Sequence, residues 1–396
     1  MHVPDGYVSP QTCAVALAAT VPFWVVATRK VSDVVKTKDV PLLAMFSALS
    51  FLVMMFNVPL PGGTSVHAVG AVVVAIVLGP WAAVVAVSVA LLLQALVFGD
   101  GGVLAFGVNA LDMAVIMPFV GFAAYRLVAG RSVLVSRRRL VAAGVGGYVG
   151  INAAGLATAV FLGVQPALFH TADGTPLYSP YTLAQTLPAM AVPHLTVAGA
   201  AEAILTAAGL AYLVRAASGR LAATHPDPVV AGPPPRPGRF RPATVAGGTV
   251  VAMVVLSPLG LLAPGGAFAE DAPGDLDLAG LGLRAVPEGM DRFAGFWSHA
   301  LVSGYGFGDG QSRVVGYWVS ALLGTVVVGL VVYLLGLVVR TVVTRRRAGV
   351  AAPDGQRTRG PGRRGRVVPA DDGGAVRDGQ HVVPVTVDQA VTDAVG

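Results

Sequence analysis

Long apolar runs separated by short polar stretches fill most of the chain. A membrane-spanning helix needs about 20 consecutive apolar residues. The pattern predicts nine such helices, at 11–28, 40–58, 66–79, 80–98, 103–127, 140–163, 183–215, 244–263 and 314–340. Within 66–98 the only interruption is Gly79-Pro80. Proline disfavours a helical residue before it, and 66–98 is too long for one crossing, so the break is placed there. Three segments do not follow the pattern. Residues 216–243 contain the proline-rich stretch VVAGPPPRPGRFRP and read as an extended cytoplasmic linker. Residues 264–312 read as an external loop, rich in glycine and in acid (Glu270, Asp271, Asp275, Asp277, Glu288, Asp291, Asp309). Residues 341–396 have no periodicity and read as a disordered basic cytoplasmic tail. The expectation is an all-α polytopic membrane protein: a seven-helix domain over 1–215, the linker 216–243, and a domain over 244–340 with two further transmembrane helices flanking the external loop 264–312.

Composition strengthens this reading. Of 396 residues, 55% are apolar and only 12% charged, with a mean hydropathy of +0.71. Soluble chains carry about 25% charged residues, so this chain lacks the polar surface of a water-facing body. The net charge of +6 does not point to nucleic acid, because Lys and Arg cluster at the ends of apolar runs, where membrane orientation requires them. With the N-terminus outside, nine crossings leave only Arg284, Arg292 and Arg313 on the external side and place the C-terminus in the cytoplasm. Joining the third and fourth spans would put Arg126 and Arg137 to Arg139 outside, which supports the break at Gly79-Pro80. The single cysteine, Cys13, excludes a disulfide framework and a cysteine-based zinc site, and reads as a small apolar residue of the first span.

Candidate chemistry begins at residue 1. The leader MHVPDGYVSP has no Lys or Arg and is broken by Pro4, Gly6 and Pro10, unlike a signal peptide. A large second residue protects Met1 from removal. The Met1 α-amine, the His2 backbone nitrogen and the His2 imidazole can then close two fused chelate rings on one metal ion. Nitrogen-rich tetragonal sites suit Ni(II) or Cu(II). A fourth nitrogen is available from His67, on the same side of the membrane, at the end of the irregular segment NVPLPGGTSV that includes Ser65. Irregular backbone at membrane depth is tolerated only where protein buries it or water lines it. Asp100, in Gly99-Asp100-Gly101-Gly102, reads as a tight turn. Asn109 and Asp112 lie inside a span, where a carboxylate is costly and marks function or a buried partner such as Asn152. His194 and Glu202, eight residues apart in the seventh span, share a helix face and can pair with Asp112 or Asn109, or form a polar seam. His170 and His299 read as solvated loop residues. No phosphate-binding loop of the form G-x-x-x-x-G-K-[ST] is present, so any ATP use must come from another chain, and no catalytic set argues for an enzyme. The residues leave a metal-independent organic-solute permease open as the alternative.

The segments MHVPDGYVSP (1–10), PGGTSVHAVG (61–70), LGPWAAVVAVSVALLLQALVFGDGG (78–102) and PHLTVAGAAEAI (193–204) resemble the CbiM/NikM family of cobalt and nickel capture components of energy-coupling factor transporters. The resemblance covers about residues 1–215. It implies metal ligation by Met1, His2 and His67, with Ser65, Asn109, Asp112, His194 and Glu202 as candidates for supporting the ligands. It also implies no resident cofactor, Co(II) or Ni(II) as the transported ion, and a separate coupling transmembrane subunit and ATPase subunits as partners. Val3 stands where isoleucine is commoner. Residues 244–340 resemble the small partner subunit, of CbiN/NikN or PDGLE type, through SPLGLLAPGGAFAE (257–270) and VPEGMDRFAGFWSHALVSGYGF (286–307). The chain therefore resembles a fusion of capture and accessory subunits. Four coplanar nitrogens suit Ni(II) better than Co(II), although low-spin Co(II) also fits such a set.

Overall fold

The fold begins with an extended leader rather than a helix, because Pro4, Gly6 and Pro10 exclude regular hydrogen bonding over residues 2–9. The computed structural model describes residues 2–35, 40–59, 65–224, 242–262, 268–307 and 312–350. Met1, most of the linker 216–243 and the tail from 351 onward lie outside the described residues. The helices in chain order are α1 (Pro10–Val35), α2 (Val40–Met54), α3 (Ala71–Leu78), α4 (Pro80–Phe98), α5 (Phe106–Ala129), α6 (Arg137–Leu168), α7 (Leu183–Arg215, its last segment continuing to Thr224), α8 (Pro242–Leu256), α9 (Glu288–Ala294) and α10 (Arg313–Val350). Strands β1 (Val58–Pro59) and β2 (Ser65–Val66) form a small antiparallel ladder, with Val58 opposite Val66. Among the described residues, six helices are long and apolar enough to cross a membrane: Pro10–Val31 of α1, α4, α5, α6, α7 and Arg313–Val339 of α10. The chain is a mostly helical, multi-pass membrane protein.

The third predicted span is helical over only part of its length. Over 66–79 the chain runs extended through residues 65–70 and then forms α3, only eight residues long and buried throughout. At 1.5 Å per residue it covers about 12 Å, well short of the roughly 30 Å hydrocarbon layer. The apolar composition of 66–79 is what a buried half-helix needs, and composition alone cannot separate it from a lipid-facing span. The break at Gly79-Pro80 is present: Gly79 takes φ 90°, and Pro80 opens α4 where its missing N–H would be unpaired anyway.

α5, α6 and α7 wrap α3. Small residues set the spacing: a Cβ on Gly121 of α5 would lie 2.7 Å from the carbonyl oxygen of Gly146 on α6. Such close backbone approach is how membrane helices gain packing contact without a hydrophobic driving force between them. Three helices widen into π-turns, at Gln94–Phe98, Ala110–Ile116 and His194–Ala198. Wide turns of this kind recur at functional sites, and these hold Gln94, Asp112 and His194. The external segment 268–307 lies against the bundle. Val3, Tyr7 and Val8 of the leader share one apolar cluster with Ala105, Val108 and Leu162 of the bundle and Ala269, Leu276 and Met290 of the external segment.

Candidate metal centre

The leader is threaded into the bundle by its own backbone. Asn109 clamps Val3 from both sides: the Val3 N–H donates to Asn109 Oδ1 at 2.8 Å, and Asn109 Nδ2 donates to the Val3 carbonyl at 3.0 Å. Gly102 N–H donates to the same carbonyl at 2.9 Å. Further along, Ser9 N–H donates to Gln165 Oε1 at 3.0 Å, and Ser179 N–H donates to the Tyr7 carbonyl at 2.9 Å. Asp5 turns back to accept from Val103 N–H at 3.0 Å and Ala105 N–H at 2.9 Å. Burial raises the Asp5 carboxyl above the usual carboxylate range, against the opposing pull of these amides. The turn Gly99–Gly102 makes this approach possible. A Cβ on Gly102 would lie 2.1 Å from Asp5 Oδ1, and Gly101, at φ 82°, faces the His2 ring.

These ties carry His2 to His67. Their ring centroids are 4.8 Å apart, and the residues are 4% and 5% exposed. His67 lies in the extended stretch before α3. Its Nδ1 is 3.1 Å from the Ala68 carbonyl, so Nδ1–H donates there and the lone pair stands on Nε2. His2 Nδ1 sits 2.7 Å from Asp100 Oδ1, and His2 Nε2 is buried without a partner. The other orphaned buried polar side-chain atom among the described residues is Gln94 Oε1, and Gln94 Nε2 donates to Asp100 Oδ2 at 3.4 Å. Both residues hold Asp100, His2 through Nδ1 and Gln94 through Nε2.

Asp100 is thus more than a turn residue. Burial pushes its carboxyl up, but the neighbouring His2 and the hydroxyl of Tyr305, which donates to Oδ2, together hold it well below the usual carboxylate range. Burial and the Asp100 charge keep the Tyr305 hydroxyl protonated, far above its ordinary value. Asp100 and Tyr305 lie 205 positions apart and meet only through the fold.

The remaining candidates support the scaffold. Glu202 accepts from Val69 N–H at 2.8 Å and from Gly70 N–H at 3.0 Å, and Ser50 Oγ donates to the Val69 carbonyl at 2.8 Å. A carboxylate at the start of α3 complements its exposed amides and dipole, and it anchors the strand that carries His67. Asp112 accepts from Thr158 Oγ1 at 2.5 Å and from Met113 N–H at 2.7 Å, while Asn152 donates instead to the Tyr148 carbonyl. The buried polar partner of Asp112 is Thr158. His194 Nδ1 lies 2.6 Å from the Met190 carbonyl, and its ring fills the space over Gly155. Ser65 lies in β2. Among the described residues, no three His, Cys, Asp or Glu side chains gather around one point.

The profile of CbiM, described as "Cobalt uptake substrate-specific transmembrane region", matches residues 2–219. The chain belongs to the CbiM family. Along nearly its whole length it is similar to the "Fused nickel transport protein NikMN" of Rhodobacter capsulatus, 45% identical over 88% of this chain and 100% of that one. It is 44% identical to the "Probable fused nickel transport protein LarMN" of Lactiplantibacillus plantarum, over 83% of this chain and 95% of that one. A crystal structure of a "Truncated Transition metal Transporter" is 55% identical, covering 54% of this chain and 98% of that chain with a TM-score of 0.51. As a CbiM-family protein the chain is a substrate-specific membrane component of metal uptake and not an enzyme.

Proposed function

We propose that the chain captures Ni(II), with Co(II) as the second candidate, at its outer face through the Met1 amine, the backbone and ring nitrogens of His2, and Nε2 of His67. The observation that carries this reading is the buried His2–His67 pair, with one His2 ring nitrogen unpaired. A fused chelate through the His2 amide closes only with Nδ1, the nitrogen that faces Asp100. Turning the ring over about Cβ–Cγ trades each nitrogen for a carbon, Nδ1 for Cδ2 and Nε2 for Cε1, which frees Nδ1 from Asp100 for the metal and leaves Nε2–H as the ring donor a shift of the side chain can bring to the carboxylate. Nickel is favoured because four nitrogens suit its tetragonal preference and because the two relatives that match most of the chain are named for nickel. The metal-loaded protein then works with a separate coupling transmembrane subunit and ATPase subunits. The capture domain spans residues 1–215 and the accessory domain 244–340, with the N-terminus outside and the C-terminus cytoplasmic.

The test is calorimetric titration of nickel chloride into detergent-purified protein. His2→Ala and His67→Ala each remove one donor and are expected to raise Kd by orders of magnitude, because affinity rests on ligand number and geometry. A tag fused before Met1 turns the amine into an amide and has the same effect, whereas a tag after Gly396 does not. Near-normal affinity in either histidine variant places the site elsewhere.

A further inference from the structure

The external segment reaches the metal centre through one side chain. Trp297 Nε1 donates to the Leu96 carbonyl at 2.9 Å, and Val302 N–H donates to the Val97 carbonyl at 2.9 Å. These two bonds fasten the segment to the π-turn that ends α4. Between that turn and α10 stands Tyr305. Its ring stacks on Phe98 at 5.2 Å and packs against Tyr317 at 5.3 Å. Its backbone takes φ 62°, a conformation that residues with side chains rarely adopt. Such outliers persist only where their surroundings over-determine them. Here Ser320 Oγ donates to the Tyr305 carbonyl at 3.1 Å, and Tyr305 N–H donates to Val302 at 3.1 Å. All of this aims one hydroxyl at Asp100, with Gln94 Nε2 donating to that hydroxyl at 3.3 Å.

We propose that Tyr305 is a positioning residue for metal capture, supplied by the accessory segment, which fixes the Asp100 carboxylate and through it the imidazole of His2. A histidine that ligates metal generally donates its other ring N–H to a carboxylate, which sets the orientation of the ring. Here Asp100 holds His2 by Nδ1, with Oδ2 on Tyr305; with Nδ1 on the metal, Nε2–H is the donor left for the same carboxylate. With the hydroxyl removed, one oxygen of Asp100 loses its strong donor. The carboxylate can then rotate, and the His2 ring with it. The accessory segment thereby preorganises the metal site without giving a ligand. This inference rests on the proposed capture of metal by His2 and His67.

The test is nickel chloride titration into the full-length purified protein as wild type, Tyr305→Phe, Asp100→Asn and the double variant. Phenylalanine keeps the ring contacts with Phe98 and Tyr317, so the change is confined to the hydroxyl. Losing a partner of this kind costs about 10- to 100-fold in metal affinity. Tyr305→Phe and Asp100→Asn are each expected to weaken binding by about tenfold or more. If Tyr305 acts through Asp100, the double variant binds no more weakly than Asp100→Asn alone. Wild-type affinity in Tyr305→Phe overturns the proposal. So do losses that multiply in the double variant, because a merely structural role would add its cost whatever stands at position 100. His67→Ala is measured alongside: if it binds nickel as wild type does, the underlying site is wrong, whatever Tyr305 does.

Discussion

At the scale of residues, the proposed site is a set of nitrogens held in place by oxygens. In that reading metal binding requires the α-amine and both imidazoles to be free of protons at the ligating atoms. An α-amine titrates near 7.7–8.0, so nickel affinity is expected to fall steadily from about pH 8 to about pH 5. Asp100 is not the source of that fall. Its folded-state carboxyl is held below the usual value, so its stabilising contribution is fully present above the ordinary carboxylate pKa. That contribution is lost only at still lower pH, as the folded-state value is crossed. Titrations at several pH values check this, and constant affinity over that range would point to oxygen ligands. His2 and His67 stand out in the sequence because histidine is scarce in this chain and each adjoins a segment in which proline and glycine exclude helix, after His2 and before His67. Asp100 does not: Gly-Asp-Gly-Gly is also what a simple turn looks like, and only the folded chain puts His2 and Tyr305 on its two oxygens.

At the scale of elements, α3 and the strand before it depend on a helix far away in the chain. Glu202 of α7 satisfies the Val69 and Gly70 amides, and an unsatisfied buried amide costs about 1–3 kcal/mol. Glu202→Ala is therefore expected to lower thermal stability and to weaken nickel binding by about tenfold, at 1.4 kcal/mol per decade, since His67 precedes these amides by two and three residues. Glu202→Gln keeps one acceptor and should fall between wild type and alanine. Unchanged melting and binding in Glu202→Ala would show that the strand is held by other contacts. The sequence marked Glu202 as costly but not what it caps. An apolar run likewise does not reveal how much of it is helix, so the eight residues of α3 were read as part of a longer span.

At the scale of the whole molecule, the external segment closes over the leader. Tyr7 Oη donates to the Asp271 carbonyl at 2.9 Å, a Cβ on Gly6 would lie 2.6 Å from the Met290 carbonyl, and the Tyr178 ring stacks on Phe293. A chain ending after Ala243 lacks this cover and lacks Tyr305. It is expected to bind nickel about tenfold more weakly than the full chain and to support less uptake in cells. A folded fragment without measurable nickel binding would mean that the external segment supplies ligands itself. The order of apolar runs predicted most of the crossings, but not this contact, because the acidic loop has no periodicity to mark which residues turn inward.

The short α3 also constrains how the protein is made. At about 12 Å it cannot settle across a bilayer alone, and its first amides find their acceptor only when Glu202 is in place. A ribosome has then synthesised some 130 further residues. Until that point these amides lack the acceptor they have in the fold, so a chain arrested between α3 and α7 is expected to be cut by an added protease more readily than the complete chain.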